Sequence, residues 1–390
     1  MKNKLALATL ALISSSAFGI TNGTFVEPLE YPSLVQSNCT GTVIANKWIL
    51  TAAHCVAAIN NTQFWRYRSD GYRRELSVVR DSLAVHPNNK TYNPNYSEDA
   101  LNDDPEHHQD IALFPISPRT QYPLNKVLFL SDEVLHETHG GNSLTASFVD
   151  GIDMTKLGYG GTGSDLYSGE FGLLPAGPEN FDDYYFGYNA PSANNGRLHG
   201  FWYTGNKTVA EGGPGDSGGP NLFNGKIVAL TSSGSAMGDV WPDKYQLSFV
   251  EPIYQSRHFL LETINDWHYA TELTAEVGET YVIELQSLHV DTLAPTYFEH
   301  TTNVVIDEYS SSCLNRTVEP FDICELALHV TDLRGAQIEI GGSTLMINYD
   351  STGRYELYPE ENTSSGSSSG SFGFAALGLL AAGLYRRRQL

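Results

Sequence analysis

The sequence contains the stretch Gly215-Asp216-Ser217-Gly218-Gly219-Pro220. Glycines on both sides of Ser217 let the backbone approach a substrate carbonyl, and the N–H groups of Gly215 and Ser217 can converge to bind an oxyanion. A glycine-rich turn with an inert serine is the competing interpretation. A serine in this setting predicts a nucleophile, and a nucleophilic serine needs a base that takes its proton.

Two other segments supply that base and a partner for it. The apolar run of residues 48–53 ends at His54, and strand packing explains the run but not the histidine. Asp110 precedes the apolar residues 111–114, where a buried carboxylate needs a donor such as an imidazole N–H. Taken singly, His54 could be a satisfied core histidine and Asp110 a loop residue. Together with Ser217 they predict a catalytic triad in which Asp110 fixes the tautomer of His54.

The order of these residues along the chain separates the known triads. Subtilisins have the order Asp, His, Ser and α/β-hydrolases have Ser, Asp, His, whereas chymotrypsin-like enzymes have His, Asp, Ser. With these motifs, residues 20–269 resemble the trypsin/chymotrypsin family of serine proteases. The resemblance implies an all-β domain with two six-stranded Greek-key β-barrels of the chymotrypsin-like fold. It also implies peptide-bond hydrolysis through an acyl-enzyme, with no cofactor and no metal ion.

Other stretches are similar to motifs of the same family. Residues 39–44 look like its Cys-Gly-Gly-Ser-Leu-Ile strand, so a Cys39–Cys55 disulfide would fix the loop that carries the histidine. Residues 158–160, Gly-Tyr-Gly, are similar to its Gly-Trp-Gly turn. Residues 252–267 have apolar side chains at helical spacing up to Trp267 and look like its terminal helix.

The resemblance also implies a specificity pocket. Residues 230–234 resemble the family's substrate-binding strand, in which Ser232 hydrogen-bonds the triad aspartate and Gly234 lines the pocket. Glu211, six residues before Ser217, falls at the base of that pocket and implies cleavage after Arg or Lys. The chain departs from the family in lacking a pocket cysteine near residue 213. If Glu211 is instead a solvated loop residue, a preference for small or apolar residues is the alternative.

An activation mechanism follows from the same resemblance. Ile20-Thr21-Asn22-Gly23 looks like the Ile-Val-Gly-Gly N-terminus that family zymogens free on cleavage, and its ammonium inserts beside the aspartate that precedes the nucleophile, here Asp216. No Lys or Arg precedes Ile20, so a tryptic cut is not expected. We predict that signal peptidase cuts after Gly19 and makes this N-terminus directly; a cut after Ala17 also satisfies the small-residue rule.

Both ends of the chain predict export. Residues 1–19 have the layout of a signal peptide, with lysines, an apolar run and small residues. Residues 353–371 are a Ser/Gly-rich linker, and residues 372–390 are an apolar run followed by three arginines. A plain transmembrane helix is one interpretation of this tail, although the run is shorter than the usual ~20 residues.

Residues 366–390 also resemble the bacterial GlyGly-type C-terminal sorting segment, with Gly-Ser in place of Gly-Gly. Many proteins with such a tail leave the cell by type II secretion. The resemblance implies an extracellular or cell-surface location, membrane contact through the tail before sorting, and the secretion and sorting machinery as partners. Protein or peptide substrates are the other expected partners.

Cysteine content and charge restrict the possibilities further. Cys39, Cys55, Cys313 and Cys324 predict two disulfides in an exported chain. Three pairings are possible, and proximity in sequence favours Cys39 with Cys55 and Cys313 with Cys324. The formal net charge of -22 argues against nucleic-acid binding, and a hydrophobic content of 41% argues against disorder.

Residues 270–352 have a different sequence pattern. They contain short strand-like runs in which apolar and polar residues alternate, such as residues 324–330, and a predicted hairpin turn at Gly341-Gly342. They predict a separate small β-sandwich, for which an immunoglobulin-like arrangement is one form. Docking, substrate recognition and secretion competence are its candidate roles. For the whole protein, a non-catalytic surface or adhesion protein on a protease fold is the alternative to a secreted serine endopeptidase.

Overall fold

The computed structural model describes most of the chain between residues 20 and 349. The described residues are 20, 22–58, 63–67, 71–87, 89, 109–133, 135, 152–160, 165–173, 202–206, 212–235, 247–332 and 334–349. The predicted signal peptide, Glu211, the Ser/Gly-rich linker and the C-terminal tail lie outside them. The described part is mostly β-strand with few helices. None of its helices has the length and apolar character needed to cross a membrane.

The first of two seven-stranded sheets brings the segments around His54 and Asp110 side by side. After β1 (Thr24–Val26), which joins the other sheet, its strands are β2 (Leu34–Gln36), β3 (Thr40–Ile44), β4 (Trp48–Thr51), β5 (Gln63–Tyr67), β6 (Arg73–Ser77), β7 (Ala84–Val85) and β8 (Ala112–Pro115). Their order is β6-β5-β2-β3-β4-β8-β7. A bridge between Val78 and Ile116 also joins the end of β6 to β8. Counting β6 and β7 as one interrupted strand, the pairing closes into a six-stranded ring.

The hairpin between β3 and β4 has an unusual turn. Three residues separate the paired Ile44 and Trp48, and the first two of them, Ala45 and Asn46, have φ angles of 49° and 52°, the left-handed values of a type I′ turn. Asparagine tolerates this conformation, but alanine does not favour it. The N–H of Ala45 donates to Nδ1 of His268 at 3.0 Å, so a contact from a distant part of the chain holds the turn.

The second seven-stranded sheet carries the glycine-rich turn of Ser217. It contains β1 and β9 (Asp153–Gly158), β10 (Leu166–Leu173), β11 (Trp202–Asn206), β12 (Pro220–Phe223), β13 (Lys226–Ser235) and β14 (Leu247–Pro252). Their order is β1-β10-β11-β14-β13-β12-β9, and β9 also pairs with β10. That additional pairing closes six strands into a barrel, with β1 added at an edge of β10.

The predicted terminal helix is shorter than expected. A 3₁₀ turn at Ile253–Ser256 leads into helix α2 (Arg257–Ile264); the earlier helix α1 is the single turn Cys55–Ala58. Asn265 adopts the left-handed conformation, and its N–H closes the helix by donating to the carbonyl of Leu261. The expectation that Trp267 lies on this helix was wrong, because the chain leaves the helix at Asn265 and Trp267 lies on a strand.

Two four-stranded sheets follow. Their strands are β15 (Asp266–His268), β16 (Glu272–Leu273), β17 (Thr280–Leu288), β18 (Glu299–His300), β19 (Val304–Ile306), β20 (Ile323–Val330), β21 (Ala336–Ile340) and β22 (Ser343–Ile347), with helix α3 (Ser312–Asn315) before β20. The orders are β15-β17-β20-β19 and β16-β22-β21-β18. Gly341 and Gly342 join β21 to β22, as predicted. Apolar residues from both sheets, including Leu285, Leu326, Ile338 and Leu345, form one buried cluster.

The C-terminal sheets and the two barrels lie in one compact unit, Met1–Glu356. Gln286 on β17 both accepts from the N–H of Leu130 at 3.0 Å and donates to its carbonyl at 2.7 Å. Lys47, beside the β3–β4 turn, forms an ion pair with Asp266. The Lys47 contact ties the C-terminal sheets to the β3–β4 hairpin, and the Leu130 contact ties them to a segment that bridges to Ile227 on β13.

Candidate active site

Adjacent strands bring His54 and Asp110 together. His54 follows β4 and Asp110 precedes β8, and these strands pair with Thr51 opposite Ala112. Nδ1 of His54 lies 2.7 Å from Oδ2 of Asp110, and the backbone N–H of His54 donates to Oδ1 at 2.8 Å. Both carboxylate oxygens of the aspartate are therefore engaged by the histidine, which fixes the orientation of its ring.

Ser232 connects this pair to Ser217. The Ser232 hydroxyl donates to Oδ2 of Asp110 at 2.5 Å. The hydroxyl of Ser217 donates to the backbone carbonyl of Ser232 at 3.2 Å, and among the described residues it forms no hydrogen bond to His54. The carbonyl of Ser217 lies 3.9 Å from Sγ of Cys55, the residue after His54. The structure thus brings together the three residues that the sequence selects as a triad, and the serine hydroxyl must rotate to reach the histidine.

The glycine-rich turn holds Ser217 between the two barrels. Gly215 and Gly218 have φ angles of 95° and 79°, which glycine adopts readily. Thr40 on β3 donates its hydroxyl to the carbonyl of Gly215 at 2.9 Å and its N–H to the carbonyl of Ser217 at 2.9 Å. These two bonds place the proposed oxyanion-binding turn against the barrel that carries His54.

The side chain of Asp216 holds the Ser217 turn through two hydrogen bonds to backbone N–H groups. Its side chain is fully buried; Oδ1 accepts from the N–H of Gly160 at 3.0 Å and Oδ2 from the N–H of Gly213 at 2.8 Å. Burial raises the pKa of Asp216 to about 6, although the two N–H groups and the charge of Lys156 oppose the shift. Ile20 is also buried, in contact with Phe171. In this structure no hydrogen bond joins Ile20 to Asp216, so the predicted activation contact stays a prediction.

His54 and Asp110 shift each other's pKa through their hydrogen bond and their charges. Burial alone would lower the pKa of His54, but the hydrogen bond to Asp110 and its negative charge outweigh burial and raise the pKa above its usual value. Burial would raise the pKa of Asp110, but the hydrogen bonds from His54 and Ser232 and the charge of His54 hold it below its usual range. Asp110 therefore stays ionised at neutral pH and stabilises a protonated imidazole.

A pH dependence follows from the raised pKa of His54. A general base must be unprotonated in the free enzyme, so kcat/KM should fall as the pH drops through that pKa. We expect an acid limb with a midpoint above the ordinary histidine value of about 6.5. The measurement is kcat/KM for a peptide substrate across the neutral range. A midpoint below that value would show that Asp110 does not raise the pKa of the essential base.

Glu251 is a residue of this site that the sequence did not reveal. Its side chain is fully buried; Oε2 accepts from the N–H of Asp110 at 3.2 Å, and Oε1 lies 3.3 Å from the hydroxyl of Ser256. Burial raises its pKa well above the usual value, and the charge of Asp110 adds to the shift. A neutral Glu251 therefore supports the backbone of Asp110. Its only sequence signal is an acid within the apolar run before Pro252.

The cysteine pairs are those that proximity in sequence favours. The structure forms Cys39–Cys55, which joins the end of the β2–β3 turn to the residue after His54, and Cys313–Cys324. The atoms of Cys39, His54 and Cys55 lie within 4.8 Å of one another. The two sulfurs are bonded to each other, so this cluster offers no thiolate to a metal ion.

The remaining predicted pocket residues are only partly placed. Ser232 and Gly234 lie on β13, whose partner β14 also carries Glu251. Glu211 lies outside the described residues. The structure therefore places these two residues on one strand, and the pocket with its acid stays a prediction.

Comparison with known proteins supports the assignment of the first barrel. The trypsin family model matches residues 20–132. The matched part contains His54 and Asp110, and Ser217 lies beyond it. With the mostly β-strand architecture, this match indicates a chymotrypsin-like fold and supports a serine protease.

Solved structures with some similarity are named as serine proteases or as a peptidase. The secreted serine protease VesC from Vibrio cholerae is 15% identical, with 83% of this chain and 70% of that chain covered and a TM-score of 0.40. Neuropsin, a serine protease of mouse brain, is 18% identical over 62% of this chain and 98% of its own, with a TM-score of 0.38. Kallikrein-related peptidase 10 in complex with Zn²⁺ is 18% identical over the same shares, with a TM-score of 0.39.

Proposed function

We propose that this protein is a secreted serine endopeptidase that hydrolyses peptide bonds through an acyl-enzyme. The single observation that carries the proposal is the chain of contacts from His54 to Asp110, from Asp110 to Ser232 and from Ser232 to Ser217. A buried carboxylate that binds a histidine ring next to a serine in a glycine-rich turn is the arrangement that activates a serine hydroxyl.

In this mechanism Ser217 attacks the scissile carbonyl while His54 removes its proton. Asp110 orients His54 and stabilises the imidazolium that forms. The N–H groups of Gly215 and Ser217 bind the oxyanion of the tetrahedral intermediate. His54 then gives the proton to the leaving amine. In the second half of the reaction His54 takes a proton from water, which attacks the acyl group, and returns it to the Ser217 oxygen as the acyl bond breaks. No cofactor or metal ion takes part.

Specificity for Arg or Lys at the cleaved bond is the finer part of the proposal. It rests on the position of Glu211, six residues before Ser217, where a buried carboxylate would pair with a basic substrate side chain. If Glu211 faces solvent, the same triad would act on small or apolar residues. A non-catalytic adhesion protein on this fold would cleave neither kind of substrate.

Hydrolysis of short chromogenic peptides tests both parts of the proposal. Peptides that end in Arg, Lys, Phe, Leu or Glu are offered to the secreted protein, to Ser217→Ala and to Glu211→Gln. We expect cleavage after Arg and Lys, none in Ser217→Ala, and a loss of the basic preference in Glu211→Gln. Cleavage after other residues would keep the triad and reject the pocket, whereas no cleavage at all would favour the adhesion protein.

Export is supported by the layout of residues 1–19 and by the two disulfides, which persist in oxidising compartments. We propose that cleavage after Gly19 frees Ile20, whose ammonium inserts beside Asp216. The C-terminal tail would direct sorting at the membrane, with the bacterial secretion machinery as partner and an extracellular or cell-surface destination.

Residues 270–352, which carry most of the C-terminal sheets, are proposed to form a small β-sandwich that serves docking, substrate recognition or secretion competence. The buried cluster shared by both sheets and the Cys313–Cys324 disulfide support an autonomous core. Asp266 binds Lys47 of the barrel that carries His54, and Gln286 binds Leu130, which bridges to Ile227 of the second barrel. These contacts suit a domain that stays fixed to the protease during substrate binding.

A further inference from the structure

Lys156 is a fully buried lysine on β9 that the proposed mechanism does not use. Its side chain has no exposed surface, and its Nζ lies 4.2 Å from the centre of the Phe171 ring. In the described part of the chain this ammonium has no hydrogen-bond partner. A buried cation is costly unless an anion compensates it, and the charge that attracts Lys156 is the carboxylate of Asp216.

The strand geometry directs Lys156 toward Asp216. Gly158 lies two residues along β9, and residues two apart on a strand share a face. A Cβ on Gly158 would lie 2.1 Å from Oδ1 of Asp216, so this face of β9 is pressed against the aspartate. Lys156 therefore points to the same side as the carboxylate that anchors the Ser217 turn.

A second polar atom without a partner lies on the same face. Asn221 is the cross-strand partner of Lys156, and paired residues of antiparallel strands project to one face. Its Nδ2 donates to the hydroxyl of Thr231 at 3.1 Å, but its buried Oδ1 has no partner in the described part. The groups that face Lys156 are thus Asp216 from the nucleophile turn, Phe171 from β10 and Asn221 from β12.

Ile20 reaches this region from the N-terminal side. It packs against Phe171, the ring over which Nζ of Lys156 lies. With the Ile20 ammonium inserted beside Asp216, as proposed above, it and the ammonium of Lys156 serve the same carboxylate. One buried carboxylate can compensate one buried cation, so the two ammonium groups are alternatives.

We propose, resting on the protease function above, that Lys156 is a positioning residue whose ammonium compensates Asp216 while residues preceding Ile20 are still attached. Without a cation, the Asp216 carboxylate would move toward water and release the N–H groups of Gly160 and Gly213. The turn that carries Gly215 and Ser217 would move with it. With Lys156 in place, the oxyanion-binding turn is formed before the N-terminus is cut.

The proposal carries a pH signature. Burial lowers the pKa of Lys156 to about 7, against the attraction of Asp216, and burial raises the pKa of Asp216 to about 6. As the pH rises through the pKa of Lys156, its ammonium loses its proton and the ionised Asp216 is left without a cation. The form with attached residues should therefore lose activity on the alkaline side earlier than the form with a free Ile20 ammonium.

The test compares two N-terminal forms of the full chain, one beginning at Ile20 and one beginning at Phe18. Each is made with Lys156 and with Lys156→Met, which keeps a similar shape without the charge. Near pH 7 we expect the Phe18 form to be active and Lys156→Met to lower its kcat/KM about 10²-fold, the loss expected for a disturbed oxyanion hole. The same substitution should cost the Ile20 form at least tenfold less.

The pH profiles of the two unsubstituted forms give a measurement that does not depend on folding of the variant. An earlier alkaline limb in the Phe18 form supports the proposal. An inactive Phe18 form beside an active Ile20 form, equal losses in both Lys156→Met forms, or identical alkaline limbs would overturn it and leave the protease function intact. An Ile20 form that cleaves no peptide would overturn the protease function itself, and this proposal with it.

Discussion

Ser217→Ala should lower kcat by about 10⁶-fold, the loss measured when a catalytic serine of this kind is removed. The Ser217 hydroxyl oxygen is the only atom in the proposed mechanism that forms a covalent acyl bond to the substrate, so no slower version of the same path remains. Alanine is smaller than serine, and the carbonyl of residue 217 keeps its bond from Thr40. The variant should therefore fold as the parent does, and the change in kcat reports chemistry.

If His54 and Ser217 act together in a triad, the losses of kcat in their single variants do not multiply in the double variant. If His54 acts only by taking the proton of Ser217, His54→Ala in the Ser217→Ala background should cost almost nothing further. The measurement is kcat for the preferred chromogenic peptide in both single variants and the double variant. Ser131→Ala is a matched control, since in the described part of the chain its hydroxyl accepts only the N–H of Glu133. Losses that multiply in the double variant would mean that His54 has a separate role.

The sequence predicts the proposed catalytic residues better than the buried residues that hold them in place. The His54, Asp110 and Ser217 motifs and the pairing of all four cysteines could be read from residue type and spacing. Each of these has a local signal, such as a histidine ending an apolar run. The positions of Lys156 and Glu251 could not be predicted, because a single charged residue in a strand usually faces solvent.

The end of α2 could not be predicted from the sequence either. Trp267 continues the helical spacing of Leu260 and Ile264, so the pattern alone favours a longer helix. In the structure Asn265 turns the chain, and Asp266–His268 pairs with β17. His268 then bonds to Ala45 and to the carbonyl of Leu128. Contacts this distant in sequence decide the strand, and local spacing carries no information about them.

Gly218→Ala should cost several kcal/mol of stability, about 4 or more, and lower kcat/KM at least about 10²-fold. A Cβ at Gly218 would lie 2.0 Å from Oγ1 of Thr51, 2.4 Å from the carbonyl of Thr40 and 2.8 Å from the N–H nitrogen of Ala52. Two of these atoms are backbone and cannot rotate away. The missing side chain is what lets the Ser217 turn approach the strand that leads to His54, so alanine must push the two barrels' catalytic segments apart.

Gly225→Ala separates this close approach from backbone strain. Gly225 has a φ of 76°, nearly that of Gly218, but a Cβ there would meet nothing within 4 Å. Gly225→Ala should lower the free energy of unfolding by only roughly 1–2 kcal/mol, the cost of an alanine in the left-handed conformation, and should keep its kcat/KM. Thermal midpoints and kcat/KM for both variants are the measurements. Equal losses in the two would mean that positive φ alone matters at Gly218; a larger loss at Gly218 locates the effect in contact between the turn and β4, which sets the distance over which Ser217 must reach His54.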